Sequence, residues 1–525
     1  MPELVVSELD TERLIRLQPA IERAATAATA FIGRTLKGPV DEPMAISSFD
    51  EYQRIFGGLW QPSTLSYAVE QYFENGGRHC LVVRVCNGGR APTLTLRCAN
   101  QTLTLIGVSP GTREYLRAGV DYDGIVAGEV DRFNLVVQRL RAAGTELIED
   151  QEIFRRVSIR ADAERALPEV LSKSRLVRLA ARLPAVRPDR TMAAGGTGAV
   201  GYVASNPDGD DGDTLTNYDI IGDMRNGSGL FALRGEQPFN FLCVPPLARQ
   251  VDVGLPALLV ALRLCRKRQA MLLVDPPAVW DTPAAAIEGL RGWPFHSEDA
   301  LMFYPRVLAF DRLRGRYEQF ASAAAVAGLL ARADQVCPVW SNSEADEPML
   351  RPGLRPALSM TDLDRVRLAQ YGVNALSTQR QGRGQQGGLR CLLPEVGVKT
   401  DWRFLSARRF ALFVISSIER GTCWVRFEHS GPPLWAQVRS QVTTFFDSLA
   451  RDGAFGAGEN RGHYFVICDE RLNDAAAIAC GQFQLLFGFA TSRSTELQTF
   501  LVTHQPDSSV TRTVSVNRYA LSQLV

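Results

Sequence analysis

Apolar and polar positions change period several times along the chain. Leu4-Val5-Val6-Ser7-Glu8-Leu9 has strand composition, and Ala24 to Ile32 is a small apolar run closed by Gly33. A helix is expected from about Ser63 to Glu74, capped by Ser63 or Thr64 and ended by Asn75-Gly76-Gly77, with the strand Cys80 to Val85 directly after it. From about Thr93 to Arg187 short alternating strands take over, such as Thr93-Leu94-Thr95-Leu96 and Phe133 to Gln138, and a helix-like Val170 to Arg182 closes the block. That block reads as an inserted domain, with 184–201 and 206–213 as its return linker.

Strand and helix then alternate. Phe239 to Val244, Met271 to Val274 and Ala300 to Val307 read as strands, and Leu255 to Arg266 and Ser322 to Arg332 as helices, an α/β order. Near the end a helix runs from Arg409 to about Arg420, and Cys423 to Phe427 reads as a strand. Pro432-Pro433 opens a helix that Gly453 stops. Leu434, Val438, Val442, Phe445, Phe446 and Leu449 fall on one face of that helix. Tyr464 to Cys468 is a strand, and Ser509 to Tyr519 alternates around Val510, Val514 and Val516.

Composition narrows the function classes. The 525 residues carry a formal net charge of +1, which leaves no electrostatic footprint for nucleic acid. The ten cysteines have no CxxC spacing and several lie in apolar runs, as expected for reduced, buried thiols. Met1 to Val6 lacks the basic start of a signal peptide, and Arg263, Arg266, Lys267 and Arg268 break the best apolar stretch, so no membrane insertion is expected.

Four motifs carry chemistry on paper. Gly196 to Gly201 spells GxGxxG but lacks the strand before and helix after that a dinucleotide site needs. Met271 to Asp275 looks like a Walker-B strand, yet the chain holds no GxxxxGK[ST]. Asp208, Asp210, Asp211 and Asp213 miss the calcium-loop order, since Gly212 falls on a ligand position. Gly107 to Gly111 spells GxSxG, but Pro110 has no N–H to give an oxyanion hole. The five histidines lie far apart. No catalytic residue, cofactor or metal is expected. The rival reading is an α/β enzyme with a nucleotide or metal site near Asp275 and Asp334.

Read together, the two ends of the body resemble the contractile tail sheath family of contractile phages, R-type bacteriocins and extracellular contractile injection systems. The resemblance rests first on Ala27 to Arg34, Gly38-Pro39, Ile46 to Tyr52, Phe56-Gly57-Gly58 and Tyr67 to Gly77. Further along it rests on Ala327 to Asp334 and Gly372-Val373-Asn374, and then on Arg408-Arg409, Ser416 to Glu419, Trp424 to Glu428, Pro433-Leu434-Trp435 and Gly453 to Gly456. Trp340 to Ser343 departs from the family's more usual Ala-Pro-Ala-Asn run.

The resemblance implies a structural protein, not an enzyme. Its fold would be multi-domain, α/β (mixed α+β), with a sheath core, extended terminal strands and an inserted β-rich outer domain. The expected divisions are an N-terminal arm (1–25), core (26–90), inserted outer domain (91–190), middle α/β core (191–400), C-terminal core domain (401–505) and C-terminal arm (506–525). The partners implied are further copies of itself in a helical polymer, an inner tube protein, baseplate and tail-terminator or cap proteins, and sheath paralogues. Assembly is expected in a bacterial cytoplasm, within a phage tail or injection particle. Leu4, Val5, Val6, Leu9, Val510, Val514, Val516 and Tyr519 have no strand nearby in sequence to pair with. They are expected to add strands to neighbouring subunits. Asp469, Glu470, Arg471 and Asp474 are expected, by resemblance, to face the inner tube.

Overall fold

The computed structural model describes residues 20–126, 128–193, 200–235, 237–341, 349–377, 388–394, 401–455, 463–491 and 497–514. The chain opens with β1 (Thr29–Gly33), β2 (Met44–Ile46), α1 (Phe49–Phe56), α2 (Thr64–Glu74) and β3 (Cys80–Arg84). Ser63 caps α2 by accepting the Ser66 N–H at 3.0 Å. Eight elements then leave the body: β4 (Thr93–Cys98), β5 (Gln101–Gly107), β6 (Tyr115–Asp121), β7 (Arg132–Leu140), β8 (Ile148–Ser158), α3 (Leu167–Ser172), β9 (Val177–Leu179) and β10 (Val203–Ala204).

The body resumes with α4 (Asn217–Ile221), β11 (Phe241–Cys243), α5 (Leu255–Arg268), β12 (Met271–Val274), α6 (Pro283–Arg291) and β13 (Ala300–Tyr304). The hairpin β14 (Val307–Asp311) and β15 (Arg316–Phe320) leads to α7 (Ala323–Ala333), β16 (Arg355–Pro356), α8 (Asp362–Gln370) and β17 (Val373–Ala375). One seven-stranded sheet joins these parts in the order β17-β13-β12-β11-β1-β3-β2, parallel except for β2. Its central strands are buried on both faces, which is why they read as continuous apolar runs. Ala30 and Ile32, Leu242, and Leu272 and Val274 point to one core with α5 and α6. Phe31, Phe241 and Cys243, and Met271 and Leu273 point to the other, with α2 and α7.

The excursion between β3 and α4 packs a three-stranded sheet (β4-β5-β9) on a four-stranded one (β10-β6-β7-β8) around its own core. Two expectations are corrected here. The helix expected over Val170 to Arg182 stops at Ser172, and Val177–Leu179 pairs instead with Leu105 to Gly107. An open strand edge outweighs local helix composition there. The second correction concerns the return segment. Val203 and Ala204, between the two stretches read as linker and past the expected domain end at 190, pair with Ala118 and Arg117 as a strand of the excursion. Polar bonds set the junction with the body. Arg84, 1 % exposed, donates to the Gly38 and Pro110 carbonyls, while Asp208 accepts from Thr93 and Asp211 from Thr112.

The C-terminal unit consists of α9 (Leu405–Gly421), α10 (Pro432–Arg451), β18 (Tyr464–Ile467), α11 (Ala475–Ala479), β19 (Phe483–Phe489), β20 (Gln498–Gln505) and β21 (Ser508–Val514). All six apolar residues expected on one face of α10 are buried. They share a core with the inward face of the β18-β19-β20-β21 sheet, chiefly Leu485, Phe487, Phe489 and Phe500. The strand expected at Cys423–Phe427 is a 3-10 turn in which only Val425 is buried. It spans the short gap between α9 and α10 and, among the described residues, has no strand to pair with despite its β-rich composition.

Candidate functional site

The expected C-terminal arm divides in two. Its first half is β21, paired antiparallel with β20 through Val510 opposite Thr503 and Val514 opposite Thr499. Pro506-Asp507, at the start of the expected arm, is the two-residue turn of this hairpin. Proline presets the turn's first position and Asp suits the second. The expectation that Val510 and Val514 lack a partner strand in their own chain is therefore corrected. β21 is an edge strand with β20 as its one neighbour among the described residues, and Val510 is exposed. Val516 and Tyr519, like Leu4, Val5, Val6 and Leu9, lie outside the described residues.

The first and the last described segments converge on the end of α9. Ile21 is buried against Gly421, where a Cβ would lie 2.8 Å from the Ile21 Cγ2. Ala24 N–H donates to Ser417 Oγ at 3.0 Å, and Arg23 pairs with Asp452 just after α10. From the other terminus, Thr511 Oγ1 donates to Glu419 Oε2 at 2.6 Å. That carboxylate also accepts from Gln269 at the end of α5. His504 adds a bond to Thr422 at 2.8 Å. The last residues of one helix thus hold the first described residues, the last strand and the α/β body together. Sequence reading found the run Ser416 to Glu419 only as a resemblance. It missed Gly421 and Ile21, for which no local signal exists.

The four residues expected to face an inner tube sit on one surface segment. Asp469 accepts hydrogen bonds from its own neighbour Arg471, and these hold the Asp469 carboxyl below the usual range. Glu470 is exposed. Asp474 caps α11 by accepting the Ala477 N–H at 2.8 Å. No residue of α11 is buried, and Ala475, Ala476, Ile478 and Ala479 are exposed together. A short apolar helix that buries no face in its own chain is a surface available for contact.

The carboxylates of the rival enzyme reading are both taken up by the fold. Asp275 accepts the Ala323 N–H at 2.7 Å, capping α7, and burial pushes its pKa up to about 6. Asp334 receives a forked bond from Arg409 of α9. Asp275 does line a small cleft beyond the carboxyl ends of β11 and β12, beside the point where strand order reverses. Doubly wound sheets bind ligands at that place. Here Arg249 lines the cleft, stacked between Tyr67 and Phe320 at 4.7 and 4.8 Å and bonded to Asp311 and Glu318. Gly196 to Ala199 of the GxGxxG run lie outside the described residues. Ser109 of the GxSxG run is buried. No group of three metal-ligating side chains occurs among the described residues, and no described helix is long and apolar enough to cross a membrane.

A doubly wound body, a β-rich excursion after its third strand and a helix-on-sheet unit at the C-terminus together make the fold of contractile sheath proteins. The sheath tail protein of Listeria innocua superposes with a TM-score of 0.55 at 12% identity, over 93% of this chain and 97% of that one. The contracted sheath of an extracellular contractile injection system, PVC, gives 0.54 at 16% identity, over 94% and 95%. No protein-family model matches the chain, and no curated protein does.

Proposed function

We propose that this chain is the structural subunit of a contractile sheath. It polymerises as a helical tube around an inner tube and shortens to drive that tube through a target envelope. The observation that carries the reading is the extent of the likeness. It spans 93% of this chain and 97% of the Listeria innocua sheath protein, so it is not confined to the α/β body.

Three features support it. Arg249, on the lining of the reversal-point cleft, is tied up in ion pairs with Asp311 and Glu318, and Asp275 and Asp334 are engaged in a helix cap and an ion pair, which leaves the enzyme reading without its acids. The first and last described segments are both anchored at the end of α9, and in this reading the segments beyond residues 20 and 514 reach neighbouring copies from that base. A contact between unlike faces that does not close on itself gives an open helix. In this reading Leu4, Val5, Val6 and Leu9 of one end, and Val516 and Tyr519 of the other, add strands to sheets of adjacent subunits. The exposed edge of β21 receives one such strand. Asp469, Glu470, Arg471 and Asp474, with the bare face of α11, meet the inner tube protein. Baseplate and terminator or cap proteins complete the particle. The work of contraction is stored in the assembled state, so no nucleotide is consumed. Purified protein mixed with its inner tube, viewed by negative-stain electron microscopy, tests this: sheathed tubes are expected, and bare tubes beside dispersed subunits would refute it.

A further inference from the structure

His504 is 1 % exposed on β20, and its ring lies between two elements. Nε2 is 2.8 Å from Thr422 Oγ1 at the end of α9, and Nδ1 is 2.7 Å from Ser509 Oγ on β21. The tautomer follows from counting hydrogens. Thr422 Oγ1 gives its single proton to the Ile418 carbonyl at 2.7 Å, so toward the ring it can only accept. Nε2 therefore carries the proton, and Nδ1 accepts from the Ser509 hydroxyl. In this neutral form the imidazole fastens the start of β21 to α9.

The surroundings oppose a charged ring. Burial, and then the Arg426 guanidinium on the 3-10 turn, push the imidazole pKa down to about 4. From β19 it faces the Phe483 ring. On α9 the nearest acid in sequence is Glu419, already engaged by Gln269 and Thr511. β21 brings Ser509 and, further along, Arg512. Both ring partners are hydroxyls, and no carboxylate among the described residues bonds the ring to offset a positive charge.

We propose that His504 is an acid-sensitive latch: neutral, it holds β21 against α9 and β20; protonated, it frees that strand while the rest of the C-terminal unit stays folded. β21 is the element that can leave. Val510 and Arg512 are already exposed, and β21 stands at the sheet edge. The inner strands bury Leu485, Phe487, Phe500 and Val502 and are held by the core. With the strand detached, the ring meets water and titrates at its ordinary value near 6.5. The open form then binds more protons than the closed form between about pH 6.5 and 4. The latch is fully closed above that window and weakens as pH falls through it. This is a property of the single subunit and holds whether or not the chain polymerises.

Hydrogen exchange on the full-length unassembled protein tests it, reading protection factors rather than raw rates. Between about pH 7.5 and 4.5 the protection of β21 amides should fall by about 70-fold beyond any change in β19. His504→Gln offers a donor to Thr422 and an acceptor to Ser509 without titrating, and should abolish that difference. Equal loss in β21 and β19 of the wild type would overturn the proposal, as would an unchanged acid response in the variant. If the variant does not fold, the wild-type comparison of β21 with β19 decides alone.

Discussion

Arg409 of α9 grips Asp334 at the end of α7 with both terminal nitrogens, joining the C-terminal unit to the α/β body through side chains 10% and 8% exposed. The same guanidinium donates to the Thr26 carbonyl at 3.1 Å and lies 5.0 Å from the Phe241 ring. One side chain thus touches α7, the segment before β1 and β11. Removing either partner strands a charge between two cores.

Arg409→Ala or Asp334→Ala should accordingly destabilise the chain by about 3–5 kcal/mol, because each leaves an unpaired buried charge. The double change Arg409→Met with Asp334→Leu should lose much less. Urea unfolding, with the coupling taken from a double-mutant cycle, checks this. Additive losses would mean that the pair is not a unit.

Gly421→Ala should displace the N-terminal segment without unfolding the C-terminal unit. The added Cβ meets Ile21 at 2.8–3.1 Å, and overpacking of this kind costs about 1–3 kcal/mol. Limited proteolysis should show faster cleavage near residues 20–26 in the variant. Unchanged cleavage would mean that Ile21 is not seated there.

Asp275 gives a pH dependence of stability with a definite sign. Its folded pKa is raised to about 6 from 3.8, so the folded state binds the extra proton between those values. Stability contributed by the protonated acid is present below pH 3.8 and is lost as pH rises through about 6. Asp275→Asn keeps an acceptor for the Ala323 N–H and carries no charge. At neutral pH it should be more stable than the wild type by roughly 1–2 kcal/mol, a figure reduced because the residue is only half-buried. Thermal unfolding across the range from about pH 4 to pH 7 reads the difference, which should shrink toward acid. A destabilised variant at neutral pH would contradict the cap as described.

Two truncations separate the parts of the C-terminus. Removing 515–525 should leave the β20–β21 hairpin intact and the subunit folded while assembly fails. Removing 508–525 should also expose His504 and free Glu419 from Thr511, lowering stability as well. Circular dichroism reports folding, and sedimentation reports assembly. Normal assembly of the 515–525 truncation would remove the terminal strand from the mechanism.

The α/β order and the helix Pro432–Arg451 were legible because their apolar spacing is strict and Pro432, Ser63 and Gly453 punctuate it. Val177 to Leu179 and Cys423 to Phe427 were misread because pairing partners decide such short runs. Leu105 to Gly107 supplied an edge for the first, and no described strand did for the second. The hairpin at Pro506-Asp507 was legible in principle, since a turn dipeptide separates two alternating runs. The convergence of Ile21, Gly421, Glu419 and His504 was not, because it joins the first and last described segments, far apart in sequence, through one helix end.

The central claim is that the chain polymerises into a contractile tube. Negative-stain electron microscopy of the purified full-length protein addresses it most directly. The account predicts long hollow tubes with a helical repeat, formed by the intact chain and not by the 515–525 truncation. Monomers or closed rings from the intact chain, at concentrations and with an inner tube that should template assembly, would contradict it.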